Sequence, residues 1–203
     1  MLGAWLDARG YEVDTVALYA GRPVPAVDGY DLVVSLGSEA SAYDDSVPWQ
    51  AGVQQALRSA GTAGTAVLGV CFGGQALARA LGGEARPAAR PELGWVSIGA
   101  LDGLLPDGPW FSWHSDEMVP PPGAEVLARN ASGVQAWRHG RSVGIQFHPE
   151  VSGELVDEWL ASAAERVRGR GVDPDALSAE THRRSDQERS FAVFDALLGE
   201  RAG

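Results

Sequence analysis

Hydrophobic and polar positions repeat with two different periods in the first eighty residues. Short continuous apolar runs such as Thr65–Val70 predict buried strands, whereas apolar residues at three- and four-residue spacing predict helices that end at glycines. The elements predicted here are helices over 1–10, 47–60 and 75–81, and strands over 13–18, 32–37 and 65–70.

The remainder of the chain shows strand patterns first and helical patterns afterwards. A hairpin turn at His139-Gly140 joins two predicted strands, and residues 84–90 read as a Pro- and Ala-rich connection. We expect the helical tail to pack on the edge of a sheet and to carry no chemistry. The predicted elements are strands over 94–99, 124–128, 134–138 and 144–147, a connection over 101–109, and helices over 154–168, from 173–174 onward and over 186–198.

The chain has one cysteine, Cys71, which lies between a predicted strand and a predicted helix. Gly69 and Gly73 flank it in a Gly-x-Cys-x-Gly sequence, the cysteine version of a nucleophile elbow. The start of a helix carries partial positive charge, which favours a thiolate there. The alternative is a buried core cysteine beside glycines that only form a turn.

A second candidate group, His148-Pro149-Glu150, follows the last predicted strand. A nucleophilic cysteine needs a base to accept its proton, and the base needs an acid to fix its tautomer and orientation. A lone His-x-Glu is typical of a surface loop, but together with the elbow it favours a catalytic triad of Cys71, His148 and Glu150.

These two motifs carry a resemblance to a known family. Residues 69–75 followed by 146–151 resemble the class I (triad) glutamine amidotransferases, and the order of motifs is similar to the stand-alone branch related to the glutaminase domain of GMP synthase. The resemblance runs from about residue 2 to about residue 198. Further matching segments are 31–37, 41–45, 91–95 and 113–116.

The resemblance implies an α/β fold, an open and mostly parallel sheet with helices on both faces, of flavodoxin-like type. We expect a single domain over 1–203, with an α/β core over 1–151 and a helical tail over 152–203. It also implies hydrolysis of the glutamine side-chain amide through a γ-glutamyl thioester on Cys71. His148 would act first as base and then as acid, and Glu150 would orient it.

The family pattern also implies an oxyanion hole and a glutamine pocket. Backbone N–H groups of Phe72 and of the loop containing Gly37 and Ser38 would hold the oxyanion. The resemblance places Gln75 in the substrate pocket, although a polar residue on a helix surface is the alternative. Substrate contacts are also expected from His114 and Ser115, with a structural hydrogen bond in a loop as the alternative for His114.

The sequence departs from the family in the oxyanion loop. Relatives carry Gly-Gly-Pro where this chain has Gly37-Ser38-Glu39. Serine would be strained if that position required a positive φ, and a carboxylate at Glu39 would oppose a nearby oxyanion. We therefore expect the catalytic machinery to be present but weakened.

A second departure concerns the predicted helix over 1–10. Family members begin with an additional strand before that helix, so this chain resembles one that starts inside the first βα unit. The additional strand would lie between Val13–Leu18 and Leu32–Gly37, both of which would lose a hydrogen-bonding partner without it. Three explanations stay open: a start assigned too far downstream, which we favour, a true truncation, or a rearranged or partner-completed sheet.

Composition limits the classes of function. A length of 203 residues with 45% hydrophobic residues suits one globular domain, and a net charge of −11 argues against a nucleic-acid partner. A single cysteine permits no internal disulfide, and no secretory signal or membrane-spanning run is visible, so we expect a cytoplasmic protein. The sequence has no metal-ligand spacing and no Gly-x-x-x-x-Gly-Lys phosphate loop, so no metal or cofactor is expected.

Three functions remain open from the sequence. The first is a stand-alone amidotransferase that passes ammonia from glutamine to a separate synthetase or ligase. The second is a hydrolase of other γ-glutamyl amides or peptides with the same triad. The third is a catalytically weak or silent member that binds a ligand or partner in the same cleft.

Overall fold

The computed structural model describes residues 1–100, 105–106 and 108–199. The helices are α1 (Leu2–Ala8), α2 (Gln50–Ala63), α3 (Phe72–Ala80), α4 (Gly153–Gly169), α5 (Pro174–Arg184) and α6 (Gln187–Leu198). The strands are β1 (Leu32–Ser35), β2 (Ala66–Val70), β3 (Glu84–Ser97), β4 (Gly99–Ala100), β5 (Pro109–Val119), β6 (Glu125–Asn130), β7 (Gly133–His139) and β8 (Ser142–Ile145).

The main sheet has the strand order β1-β2-β8-β7-β6-β4. Strands β1, β2 and β8 are parallel, and β7, β6 and β4 continue the sheet in antiparallel pairs. Val70 is in register with Ile145, so β2 and β8 end at the same edge. The segments that follow these two strands, which carry the candidate nucleophile and base, therefore emerge side by side.

Helices cover both faces of the sheet, as expected. Alternate residues of β2 point to opposite faces: Leu68 and Val70 pack in the core that contains α1 and α6, whereas Val67 packs with α2 and α3. The first core includes the fully buried Trp5 and Phe194. The predicted α/β class, with helices on both sides of an open sheet, is therefore confirmed.

Strands β3 and β5 form a separate antiparallel ribbon. A third apolar cluster joins this ribbon to α4 and α5, with Phe111, Val156 and Leu177 at its centre. The ribbon and α4 thus pack together beside the edge at which β2 and β8 end.

The prediction of a connection at residues 84–90 was wrong, since these residues form the first part of β3. Glu84–Pro87 pairs with 116–119 of β5, a partner distant in sequence that local pattern does not reveal. The register shifts between Pro87 and Glu92, where proline lacks the N–H that a regular ladder needs. The predicted connection over 101–109 lies partly outside the described residues, and Pro109 already begins β5.

The predicted strand over 13–18 is absent from the structure. Residues 12–17 have no regular structure, and a short 3₁₀ turn follows at Leu18–Ala20. Val13 is 57% exposed, so its side chain is not packed in the core. A strand exists only with a hydrogen-bonded partner, and within the described ranges β1 pairs with β2 alone, leaving this segment none.

Candidate active site

The turn from β2 into α3 places the only cysteine at the edge of the sheet. Cys71 has φ 54° and ψ −111°, and it is the one non-glycine residue with positive φ in the described part of the chain. A cysteine rarely adopts this conformation, which turns the chain sharply between strand and helix. Its N–H donates to the carbonyl of Ile145 at 2.8 Å, which ties the turn to β8.

Glycines around the turn allow backbone segments to approach each other closely. A Cβ on Gly73 would lie 1.8 Å from the carbonyl oxygen of Ser35, and a Cβ on Gly69 would lie 2.4 Å from the carbonyl oxygen of Gly73. A Cβ on Gly37 would stand 3.3 Å from Cε1 of His148. The elbow and β1 therefore pack at distances that side chains would prevent, and the imidazole lies close to Gly37.

His148 lies just beyond β8 and is held on two sides. Its backbone N–H donates to the carbonyl of Phe111 at 2.8 Å, and Nδ1 of its ring lies 2.7 Å from Oε1 of Glu150. The ring of Trp159 packs edge-on against the imidazole, with centroids 5.3 Å apart. Nε2 has no hydrogen-bond partner among the described residues, so this nitrogen remains available for chemistry.

Electrostatics favour a protonated His148. Burial lowers the pKa of this imidazole, but the negative charges of Glu150 and of the Cys71 sulfur outweigh burial and raise the pKa to about 10. The structure thus brings the three predicted triad residues together as a buried group in one cleft, with a carboxylate on Nδ1 of the imidazole.

The predicted oxyanion loop lines the same cleft as Cys71. Gly37, Ser38 and Phe72 all border the cavity, and the N–H of Phe72 is one of the first in α3, where no intrahelical acceptor exists. The backbone strain that a positive φ would cause at Ser38 does not arise, because its φ is not positive. Its hydroxyl accepts a hydrogen bond from the N–H of Ala40 at 3.1 Å.

The carboxylate of Glu39 forms an ion pair at the rim of the cleft. Arg166 of α4 contacts it at 2.6 Å, with both side chains more than half exposed. Because an arginine offsets its charge, Glu39 opposes an anion in the cleft less than the sequence alone indicates.

The cleft has a volume of about 700 Å³, and α4 forms one of its walls. Trp159 and Arg166 of this helix border the cavity, and so does Arg170, the residue after the helix. The tail therefore does more than pack on the edge of the sheet, which is all that the sequence predicted for it. The helical pattern predicted α4 correctly, but a helical period does not say which surface the helix covers. Sequence analysis therefore missed these three residues.

The three residues predicted to contact substrate differ in their surroundings. Gln75 borders the cavity but is only 3% exposed, so it is not a surface residue, and its amide is bonded inside the protein. His114 lies in β5 and not in a loop. Its Nδ1 is 2.9 Å from the carbonyl of Asp116 and its Nε2 2.9 Å from Oε2 of Glu92, contacts that favour the structural alternative.

Ser115 lies at the exposed rim, where its hydroxyl accepts a hydrogen bond from Arg170. The neighbouring Asp116, which sequence analysis did not single out, binds the segment that follows the predicted oxyanion loop. Its carboxylate accepts hydrogen bonds from the hydroxyls of Ser41 at 2.6 Å and Tyr43 at 3.2 Å.

Among the described residues, no group of three or more His, Cys, Asp or Glu could hold a metal ion. In the same part of the chain, no helix combines the length and apolar character that crossing a membrane requires.

Comparisons with known proteins show which family the chain resembles. The family model described as "Glutamine amidotransferase class-I" matches residues 9–163. One of the subunits of the glutamine-hydrolysing GMP synthase from Sulfurisphaera tokodaii is 32% identical over 155 residues, which cover 71% of this chain and 80% of that one. The GMP synthase of Aeropyrum pernix is 40% identical over 115 residues, 48% of this chain but only 22% of that longer protein.

Solved structures match over almost the whole chain. A glutamine amidotransferase from Thermotoga maritima superposes with a TM-score of 0.87 at 22% identity, over 98% of this chain and 91% of that one, a likeness of fold. A glutamine amidotransferase from Methylobacillus flagellatus also gives 0.87, at 25% identity, over 97% and 88% of the two chains.

Proposed function

Because the chain belongs to the class I glutamine amidotransferase family, we propose that it hydrolyses the side-chain amide of glutamine with Cys71, His148 and Glu150 as its triad. The observation that carries this proposal is the 2.7 Å contact between His148 Nδ1 and Oε1 of Glu150. Nε2 of the same ring has no hydrogen-bond partner among the described residues, and the ring borders the same cleft as Cys71. Such an arrangement suits a nucleophile, a base and a group that orients the base.

The first half of the proposed reaction forms a thioester. The sulfur of Cys71 attacks the amide carbon, and the electrons of the C=O bond move to oxygen, giving a tetrahedral oxyanion. Its collapse breaks the C–N bond, and the proton on Nε2 of His148 passes to the departing nitrogen, so ammonia leaves. The raised pKa of His148, caused by the adjacent negative charges despite burial, keeps that proton available at neutral pH.

The second half returns the enzyme to its starting state. Nε2 of His148, now neutral, takes a proton from water, and the hydroxide formed attacks the γ-glutamyl thioester. Collapse of the second tetrahedral oxyanion breaks the C–S bond and releases glutamate. The sulfur leaves as a thiolate beside the imidazolium.

Both oxyanions form beside the start of α3 and the loop after β1. The N–H groups of Phe72 and Ser38, with Gly37 as the close-packed neighbour, are the proposed donors. A donor that acts only on the charge of the transition state contributes about 10²–10³ in rate. The relaxed backbone at Ser38 and the Glu39–Arg166 pair weigh against the catalytically silent alternative.

The fate of the ammonia is proposed from the relatives. The curated relatives include separate subunits of GMP synthases, and the chain spans 80% of the one from Sulfurisphaera tokodaii. We infer that ammonia passes to a separate synthetase or ligase, and that residues 1–203 act as one unit because α4 lines the cleft. A cytoplasmic location stays a prediction.

A second candidate, hydrolysis of other γ-glutamyl amides, is favoured by the size of the cleft. A volume of about 700 Å³ lies within the range of sites for drug-sized ligands and has room for more than free glutamine. The γ-glutamyl part would occupy the same position in both cases.

The test is release of ammonia and glutamate from glutamine, with N-substituted γ-glutamyl amides assayed in parallel. We expect equal amounts of the two products from the wild type and none from Cys71→Ala, and the preferred amide chooses between the two candidates. A glutamine analogue with an electrophile at the γ-carbon should add its mass to Cys71. Turnover that survives Cys71→Ala would overturn the proposed mechanism.

A further inference from the structure

The sulfur of Cys71 lies between a hydrogen-bond donor and an acceptor that the proposed triad does not include. Nε2 of Gln146 approaches the sulfur at 3.6 Å, and the carbonyl oxygen of Trp113 lies 3.7 Å from it on β5. A thiol can donate to the carbonyl, whereas a thiolate can only accept, and the amide N–H of Gln146 is a donor that it can use. The two contacts therefore favour opposite protonation states of the sulfur.

The orientation of the Gln146 amide is fixed by Gln75. The NH₂ group of Gln75 donates to the carbonyl of Asp116 at 3.0 Å and to Oε1 of Gln146 at 3.2 Å. Since Oε1 of Gln146 accepts from Gln75, its NH₂ group is left to face the sulfur. Both amides are almost fully buried, so water does not compete for these bonds.

We propose that Gln146 stabilises the thiolate of Cys71 through its Nε2–H, and that Gln75 is a positioning residue that holds the Gln146 amide in this orientation. Gln146 touches the reacting sulfur and is a catalytic residue in that sense. The inference rests on the proposed function for its significance, because a thiolate matters only if Cys71 is the nucleophile. It gives Gln75 a role beside the predicted substrate contact, since its NH₂ group bonds inside the protein.

Other charged and titratable groups surround the sulfur. His148 and, behind it, Glu150 face Cys71 from the segment after β8. His114, paired with Glu92, borders the cleft from the ribbon, as does Asp116. Substitution of Gln146 or Gln75 by methionine leaves all of these ionisable side chains in place, so their titration is a common background in both variants.

The experiment is the rate of iodoacetamide alkylation as a function of pH, over the range in which the protein stays folded. Cys71 is the only cysteine, so the intact mass reports its modification alone. We expect Gln146→Met, which removes the donor without adding a charge, to displace the midpoint upward by about one pH unit and to react about tenfold more slowly at pH values below that midpoint. Gln146→Glu should displace it further, because a carboxylate then faces the thiolate.

Two more variants separate the effect of the Gln75–Gln146–sulfur contacts from a general loss of packing. Gln75→Met should displace the midpoint in the same direction but less, since the amide of Gln146 is kept but no longer oriented. Gln135→Met is the matched control, because Gln135 is equally buried and its amide bonds to Glu92 and Asn130, away from the sulfur. Its alkylation profile should match the wild type.

An unchanged midpoint in folded Gln146→Met would overturn the proposal, as would an equal displacement in Gln135→Met. If the Met variant does not fold, Gln146→Glu keeps the side-chain volume and the bond from Gln75 and gives the same decision. Alkylation needs no glutamine. If the alkylation midpoint is displaced but the wild type does not hydrolyse glutamine, the role of Gln146 and Gln75 is supported and the proposed function is rejected.

Discussion

The floor and the rim of the cleft are held by different forces. On the floor, Cys71, His148 and Glu150 are at most 8% exposed and are fixed by backbone bonds and close packing. On the rim, Glu39 and Arg166 pair across the cleft while 78% and 56% of their side chains remain exposed. Packed interiors resist displacement, whereas exposed ion pairs are weak and screened by salt. The proposed triad therefore has one fixed geometry, whereas the entrance of the cleft is adjustable.

Gly73→Ala tests the rigidity of the floor and should have the largest effect. Its Cβ would lie 1.8 Å from the carbonyl oxygen of Ser35, so α3 would have to move away from β1. We expect a loss of about 3 kcal/mol or more in the free energy of unfolding, measured with urea.

Gly3→Ala is the matched control for that substitution. Gly3 lies in α1 with nothing within 4 Å of an added Cβ, and alanine favours a helix. Its stability should equal or exceed that of the wild type. Equal effects of the two substitutions would show that the floor yields as easily as the surface.

Glu150→Gln tests the electrostatics of the floor. Removal of the carboxylate should lower the pKa of His148 from about 10, since burial would then face only the charge of Cys71. We expect the kcat for glutamine to fall by about a hundredfold or more, because the imidazole loses both its orientation and its proton.

The same variant has a signature in stability. In the folded protein the pKa of His148 is raised from 6.5 to about 10. Its contribution to the free energy of unfolding is therefore complete below pH 6.5 and is lost as the pH rises toward about 10. The free energy of unfolding should therefore fall over this range in the wild type and fall less in Glu150→Gln. His139→Gln, at an exposed position in the hairpin, should keep the wild-type slope. A wild-type slope in Glu150→Gln would contradict the assigned charge on His148.

Arg166→Ala tests the rim and should have the smallest effect. The exposed pair with Glu39 contributes within about 1 kcal/mol, so the unfolding midpoint should hardly change. Activity should fall by less than about tenfold at low salt, and high salt should remove the difference by screening the wild-type pair. A large loss of stability in this variant would mean that the rim is as firmly built as the floor.

Local pattern predicted the floor because its determinants are close together in sequence. Gly69 and Gly73 around Cys71 predict the elbow, and the hairpin at His139-Gly140 places β8 before His148. The rim depends on contacts between distant segments. The pairing of 84–97 with 109–119 crosses two prolines that indicate a connection, and the pattern of α4 does not reveal that Trp159 packs on His148. The segment over 13–18 has strand composition but no partner in the described chain, and composition cannot supply one.

The backbone of Cys71 implies a compromise between durability and activity. Its φ of 54° belongs to a region that glycine enters freely and cysteine enters at a cost of about 1–3 kcal/mol. Replacement by glycine would relieve that strain while deleting the thiol, so we expect a variant without the proposed nucleophile to unfold at a higher temperature. If Cys71 is the nucleophile, as proposed, the chain gives up some stability to hold a side chain in this conformation.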